Sequence, residues 1–138
     1  MPNNSSTHAH HILIVEDDYA FRWTLAVRLQ RSGVDTDVAE TVREAQDLLA
    51  KVRNYCCIVL DLKLGTNSAE SVLQTIGTVA PGIPVVVVTA YPDAWTRITE
   101  TKSAAHVSRV MLKPVDVDLV AEEVLRHCAT SPTNAAFG

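Results

Sequence analysis

The sequence predicts an α/β fold: a single, doubly wound, five-stranded parallel sheet with helices on both faces. Three observations predict it. Short apolar runs alternate along the chain with stretches of helical period, which is the pattern of successive β-α units with right-handed crossovers. The runs Ile12–Val15, Cys56–Leu60 and Val85–Val88 are continuously apolar, as strands covered on both faces are. Each run ends in polar residues, and in a parallel sheet all carboxyl ends share one edge, where open α/β sheets bind ligands.

The elements follow in order. Residues 1–10 form a polar tail, expected to be disordered. Its His8 and His10, with His11, are donors that a transition metal accepts, but no second ligand cluster stands beside them. The first strand, His11–Val15, runs into Glu16-Asp17-Asp18. A helix over Tyr19–Ser32 carries Phe21, Leu25 and Leu29 at intervals of four, and Gly33 stops it. Trp23, beside Phe21, is expected to pack inward. A short strand over Val34–Ala39 precedes a capping box, in which Thr41 caps a helix to about Val52 and Glu44 reaches back. The inner face of that helix is Val42, Ala45, Leu48 and Leu49.

The third strand, Cys56–Asp61, ends on Asp61 after the apolar run Cys56–Leu60. A loop over Gly65–Ser68 leads to a helix with Val72, Leu73 and Ile76 inward, and Pro81-Gly82 breaks the chain. The fourth strand is Ile83–Thr89. A weaker helix covers Asp93 to about Ser103, with Trp95 either packed inward or available to a partner. The fifth strand, Val107–Leu112, ends in Lys113-Pro114. Asp116 caps a last helix to about Cys128, with Leu119, Val120, Val124 and Leu125 as its apolar stripe. The folded domain is therefore 11–128, and 129–138 form a flexible tail.

The 138 residues suit one domain. A net charge of −4 does not suggest direct nucleic-acid binding. No apolar run is long enough to span a bilayer, and Met1–His11 lacks the apolar core of a signal peptide, so no membrane association and a cytoplasmic location are expected. Cys56, Cys57 and Cys128 are odd in number and two are adjacent, which reads as reduced thiols.

The strand ends carry the chemistry. Two like charges about 4 Å apart repel by roughly 4 kcal/mol at an effective dielectric of 20. The acids Glu16, Asp17 and Asp61 therefore need solvent, a basic residue or a divalent cation. Their hard oxygens suit Mg²⁺, which can also bridge a phosphoryl group. Asp61 is the candidate nucleophile. Lys113 is a point charge for a phosphoryl oxygen, and Thr89 a hydroxyl donor to another. Asp18 is either a fourth acid of the site or the start of the helix that follows.

These residues resemble the receiver domain of two-component response regulators. The resemblance rests on Ile12-Leu13-Ile14-Val15-Glu16-Asp17-Asp18, Val59-Leu60-Asp61-Leu62, Val88-Thr89-Ala90 and Leu112-Lys113-Pro114, and covers residues 11 to 128. It implies a flavodoxin-like receiver fold. It implies that Asp61 is the phosphoacceptor, loaded by a histidine kinase or a histidine phosphotransfer protein in a phosphorelay. It implies Mg²⁺ on Glu16, Asp17, Asp61 and the backbone carbonyl of Lys63. Thr89 and Lys113 then engage the phosphoryl group, and the Lys113–Pro114 bond is cis. Lys63 and Tyr91, two residues beyond Asp61 and Thr89, flank the phosphoryl group and modulate its hydrolysis. The chain acts as a switch on an unknown output partner or output domain, with a homodimer among the assemblies allowed. It catalyses only its own phosphotransfer and autodephosphorylation.

The sequence departs from the family at four places. Val110 replaces the usual Tyr or Phe, His106 a Gly, Gly65 a common Pro and Ala69 a common Gly. Two other readings compete. A receiver-shaped interaction module would work without phosphorylation. A hydrolase of the haloacid-dehalogenase type would need a second Asp where Lys63 stands.

Overall fold

The computed structural model describes residues 10–51 and 54–129. Of the tails expected at 1–10 and 129–138, all but His10 and Ala129 lie outside the described residues, as does the predicted helix end at Val52, and Ala129 belongs to the last helix. The central sheet has five strands: β1 (His11–Val15), β2 (Asp35–Ala39), β3 (Cys57–Leu60), β6 (Val85–Thr89) and β7 (Val107–Leu112). Its order is β2-β1-β3-β6-β7, and every pairing is parallel. Two further strands, β4 (Lys63–Leu64) and β5 (Asn67–Ser68), form a small antiparallel hairpin where a loop was expected. Gly65, at φ +62°, makes its turn.

β3 and β6 are buried along their whole length and β1 from Ile12 to Val15, which is why these stretches are continuously apolar. Strand alternation sends their side chains into two cores. Leu13, Val15, Ile58, Leu60, Val85 and Val87 face one side. There they meet α2 (Val42–Lys51), α3 (Glu70–Val79) and Ile98 of α4 (Pro92–Thr99). Ile12, Ile14, Val59, Val86 and Val88 face the other, against α1 (Tyr19–Arg31) and α5 (Val117–Ala129). Each fully buried Val, Leu or Ile contributes about 1.5–3 kcal/mol relative to exposure.

Local chemistry sets the helix ends. The Asp18 side chain accepts from the N–H groups of Ala20 (3.0 Å) and Phe21 (3.3 Å), which settles it as the α1 N-cap. Gly33, at φ +84°, ends α1, and Val34 N–H returns to the Leu29 carbonyl at 3.1 Å. In the capping box Glu44 N–H donates to Thr41 Oγ1 at 3.1 Å, but the Glu44 carboxylate accepts from Glu40 N–H at 2.8 Å, one residue earlier than the motif predicts. The predicted long fourth helix is α4 followed by a separate 3-10 turn over Lys102–His106. Thr101 caps that turn by accepting from Ser103 N–H at 3.1 Å. The His106 ring lies where a Cβ on Gly77 would come within 3.3 Å, so α3 carries a glycine at this close approach.

Three side chains depart from the expected pattern. Trp23 is 55% exposed on the outer face of α1, and Leu119 is 52% exposed on α5. Ala121 is buried instead, alongside Val120 and Val124. Trp95 packs, partly buried, against the core shared by α2 and α3, the inward of its two readings.

Candidate functional site

Strand register assembles the site. Val15 pairs with Leu60, so Glu16 and Asp61 leave adjacent strands side by side. Asp61 N–H donates to the Val15 carbonyl at 3.0 Å. Thr89 pairs with Leu112, which places Lys113 one residue further on, and Lys113 N–H donates to the Thr89 carbonyl at 2.8 Å. The Lys113–Pro114 peptide is cis.

The side chains converge as the strand ends do. Glu16 is 1% exposed, Asp61 6% and Thr89 0%. Oxygens of Glu16, Asp17 and Asp61 all lie within 4.8 Å of one another. Lys113 Nζ sits between two of these acids, donating to Glu16 Oε1 at 2.6 Å and to Asp61 Oδ2 at 3.1 Å. The sequence assigned Lys113 to a phosphoryl oxygen alone and did not show this contact, since it depends on how far the side chain folds back across the edge.

Two buried acids share one ammonium, and the Glu16 carboxyl responds to its burial by holding its proton more tightly. Burial pushes its pKa up to about 8; the hydrogen bond and charge of Asp61 push the same way, while Lys113 and the Asp18 N–H oppose them. For Lys113 burial acts to lower the pKa, but the bonds and charges of Glu16 and Asp61 outweigh it and raise it.

Backbone donors fix the remaining oxygens. Asp61 Oδ1 accepts from Lys63 N–H at 3.1 Å. Asp17 Oδ2 accepts from Gly65 N–H at 2.8 Å. A proline at that position has no N–H to give, so this departure from the family pattern supplies a tether for Asp17. Thr89 Oγ1 accepts from Tyr91 N–H at 3.0 Å. Lys63 Nζ lies 4.6 Å from the centre of the Tyr91 ring, a cation–π contact that joins the two flanking residues to each other. Together they wall a recess that also includes Thr66, Ser68 and Arg97.

Two contributors were not identified from sequence. Phe21, assigned to the α1 stripe, places its ring 5.0 Å from Lys113 Nζ. Arg22 is buried, donates to the Glu16 carbonyl at 3.1 Å and pairs with Glu40 at 3.6 Å. No sequence signal marked Arg22, because an arginine on a surface helix ordinarily faces water. Val110 is half-buried against the α2–α3 core, in the place of the family's aromatic.

The three acids suit a hard divalent cation. Hard carboxylate oxygens are the donors Mg²⁺ prefers, so Glu16, Asp17 and Asp61 fit that ion and would hold it.

Residues 12–125 match the response regulator receiver domain family. The chain belongs to that family. It is 35% identical over 112 residues to the response regulator protein PilR of Pseudomonas aeruginosa, covering 81% of this chain and 24% of that one. It is 30% identical over 121 residues to the photosynthetic apparatus regulatory protein RegA of Rhodovulum sulfidophilum, covering 88% and 64%. This receiver thus spans about a quarter to two thirds of the curated relatives it matches. Its fold matches the response regulator TrrA of Thermotoga maritima, solved in complex with Mg²⁺ and BeF, with a TM-score of 0.69 and 24% identity over 86% of this chain and 98% of that one. The receiver is a signalling domain of two-component systems. Among its described residues no helix is long and apolar enough to cross a membrane.

Proposed function

We propose that Asp61 accepts the phosphoryl group of a phosphohistidine carried by a histidine kinase or a histidine phosphotransfer protein. The observation that carries this reading is Lys113 Nζ held between Glu16 and Asp61 at the carboxyl edge. An Asp61 oxygen attacks phosphorus; the new O–P bond forms as the P–N bond breaks, and its electron pair stays on the imidazole nitrogen. Glu16, Asp17, Asp61 and the Lys63 carbonyl would hold Mg²⁺, which neutralises the acids and draws charge from the phosphoryl oxygens. Lys113, released from the acids, then pairs with one phosphoryl oxygen, and the Thr89 hydroxyl donates to another.

The phosphoryl group adds about 1.5–2 negative charges. Moving a two-state switch from 1:99 to 99:1 takes about 5.5 kcal/mol of differential interaction, while one charge-assisted hydrogen bond supplies about 1.5–3 kcal/mol. The Thr89 contact alone is too small, and the Lys113 contact, Mg²⁺ and loop packing supply the rest. With Val110 in the aromatic position, the shift reaches the α4 face through Tyr91 and Lys63. The chain works in the cytoplasm, catalyses only its own phosphotransfer and dephosphorylation, and acts on an output partner or output domain.

The test is intact-mass measurement after incubation with acetyl phosphate, in Mg²⁺ and in chelator. One phosphoryl gain in Mg²⁺, absent in chelator and in Asp61→Asn, is the expected result. No gain on folded protein with Mg²⁺ present would move the assignment to an interaction module that works without phosphate.

A further inference from the structure

At the opposite, amino edge of the sheet, three soft or borderline donors from distant parts of the chain meet. His10 lies just before β1, Cys56 just before β3 and Cys128 at the end of α5. Their Nδ1 or Nε2 and Sγ atoms all lie within 4.8 Å of one another. His10 Nδ1 is 3.4 Å from Cys56 Sγ. Cys128 is buried, and burial together with Cys56 as neighbour and hydrogen-bond partner pushes its thiol up to about 12. Backbone bonds fix the site from two sides: Cys56 N–H donates to the His11 carbonyl at 2.8 Å, and Asp35 N–H to the His10 carbonyl at 3.2 Å. Histidines expected to belong to a tail therefore include one built into the fold.

We propose that His10, Cys56 and Cys128 form a metal site for a thiophilic cation of the Zn²⁺ class, separate from the acidic site at the other edge. Tetrahedral zinc with Zn–S of about 2.3 Å and Zn–N of about 2.0 Å places N and S roughly 3.5 Å apart and two sulfurs roughly 3.8 Å apart. The His10–Cys56 separation already matches. Two thiolates and one imidazole select zinc or copper(I) over Mg²⁺, whose preference is for oxygen. These are three ligands among the described residues, and tetrahedral zinc takes a fourth. Binding is balanced by loss of both thiol protons to solvent, with the His10 Nδ1 lone pair turning from the Cys56 thiol to the metal. The ion would pin the start of β1, the approach to β3 and the end of α5 together.

The test is titration of the reduced full chain with Co²⁺, then displacement with Zn²⁺. One equivalent of Co²⁺ should give a thiolate-to-cobalt charge-transfer band and tetrahedral visible absorption, with two protons released in weak buffer. The band should vanish in Cys56→Ser and Cys128→Ser. In His10→Ala affinity should fall at least about tenfold. Phosphoryl uptake from acetyl phosphate by each variant reports that it is folded. Should Cys128→Ser fail to fold, Cys56→Ser and His10→Ala decide. Absence of a thiolate–cobalt band in the reduced chain, or a band that survives either cysteine change, overturns the proposal.

Discussion

At the carboxyl edge of the sheet, Glu16 and Asp61 are buried and share one ammonium, Lys113. Towards the amino edge, among the described residues, one carboxylate, Asp37, gathers two partners. The buried Tyr55 hydroxyl donates to Asp37 at 2.8 Å, His11 Nε2 lies 3.1 Å from the same carboxylate, and the His11 and Tyr55 rings meet edge-on at 5.3 Å. The same parallel register brings side chains together at both edges. The difference is burial: the paired acids of the carboxyl edge are almost wholly buried, whereas the Asp37 side chain keeps 28% of its exposure. Two buried acids around one ammonium suit an edge that takes up a cation or a phosphoryl group; a part-exposed carboxylate with two settled partners suits one that does not.

The largest effect that would separate the edges is loss of the shared cation. Lys113→Met strands two buried acids, and breaking a buried pair costs about 3–5 kcal/mol. Lys113 is partly exposed, so a loss of about 3 kcal/mol is expected in urea unfolding at neutral pH in chelator. Saturating Mg²⁺ should restore more stability to this variant than to the natural chain. A loss below about 0.5 kcal/mol would erase the distinction between the edges.

Next in size, Tyr55→Phe removes a hydroxyl and leaves the Asp37 carboxylate short of a donor, at a cost of about 1–2 kcal/mol. The sign with pH follows from burial and the Asp37 charge, which raise the folded phenol above its ordinary value. Above pH about 10 the unfolded phenol ionises while the folded one stays protonated, so stability falls as pH rises. Tyr55→Phe should flatten that alkaline slope, and denaturant midpoints on both sides of pH 10 would show it. Phosphoryl uptake should be unchanged in this variant; a loss would mean that the edges are coupled.

A smaller kinetic effect is expected beside the reactive edge. Lys63→Ala and Tyr91→Ala each break the cation–π contact and open the recess to water. Autodephosphorylation should quicken about two- to fivefold, equivalent to roughly 0.5–1 kcal/mol of barrier. An unchanged or longer phosphoryl lifetime in both would remove these two residues from the mechanism. The smallest effect belongs to Trp23→Ala on the exposed face of α1, which should shift stability by less than about 0.5 kcal/mol and leave both edges intact.

The strands and the acidic edge were legible because burial on both faces writes continuous apolar runs, and each run stops where its polar residue begins. Leu119 was misplaced because a helical stripe read from spacing alone does not say which of Leu119 and Ala121 turns inward. The β4–β5 hairpin was missed because two-residue strands around Gly65 have no period to read. The His10, Cys56 and Cys128 cluster joins residues from three distant parts of the chain, with no local spacing to mark it; only the folded arrangement of β1, β3 and α5 does. Lys113 was read for its charge, but its grip on Glu16 and Asp61 is a side-chain conformation that sequence does not carry.

The central claim is that the carboxyl edge concentrates reactivity on one carboxylate. Borohydride trapping after acetyl phosphate treatment in Mg²⁺, followed by peptide mapping, tests it most directly, because an acyl phosphate is reduced to an alcohol at the residue that carried it. The account predicts one reduced residue, Asp61, in the natural chain and none in Asp61→Asn. Reduction at Glu16 or Asp17, or at no residue of a folded and Mg²⁺-loaded chain, would contradict it.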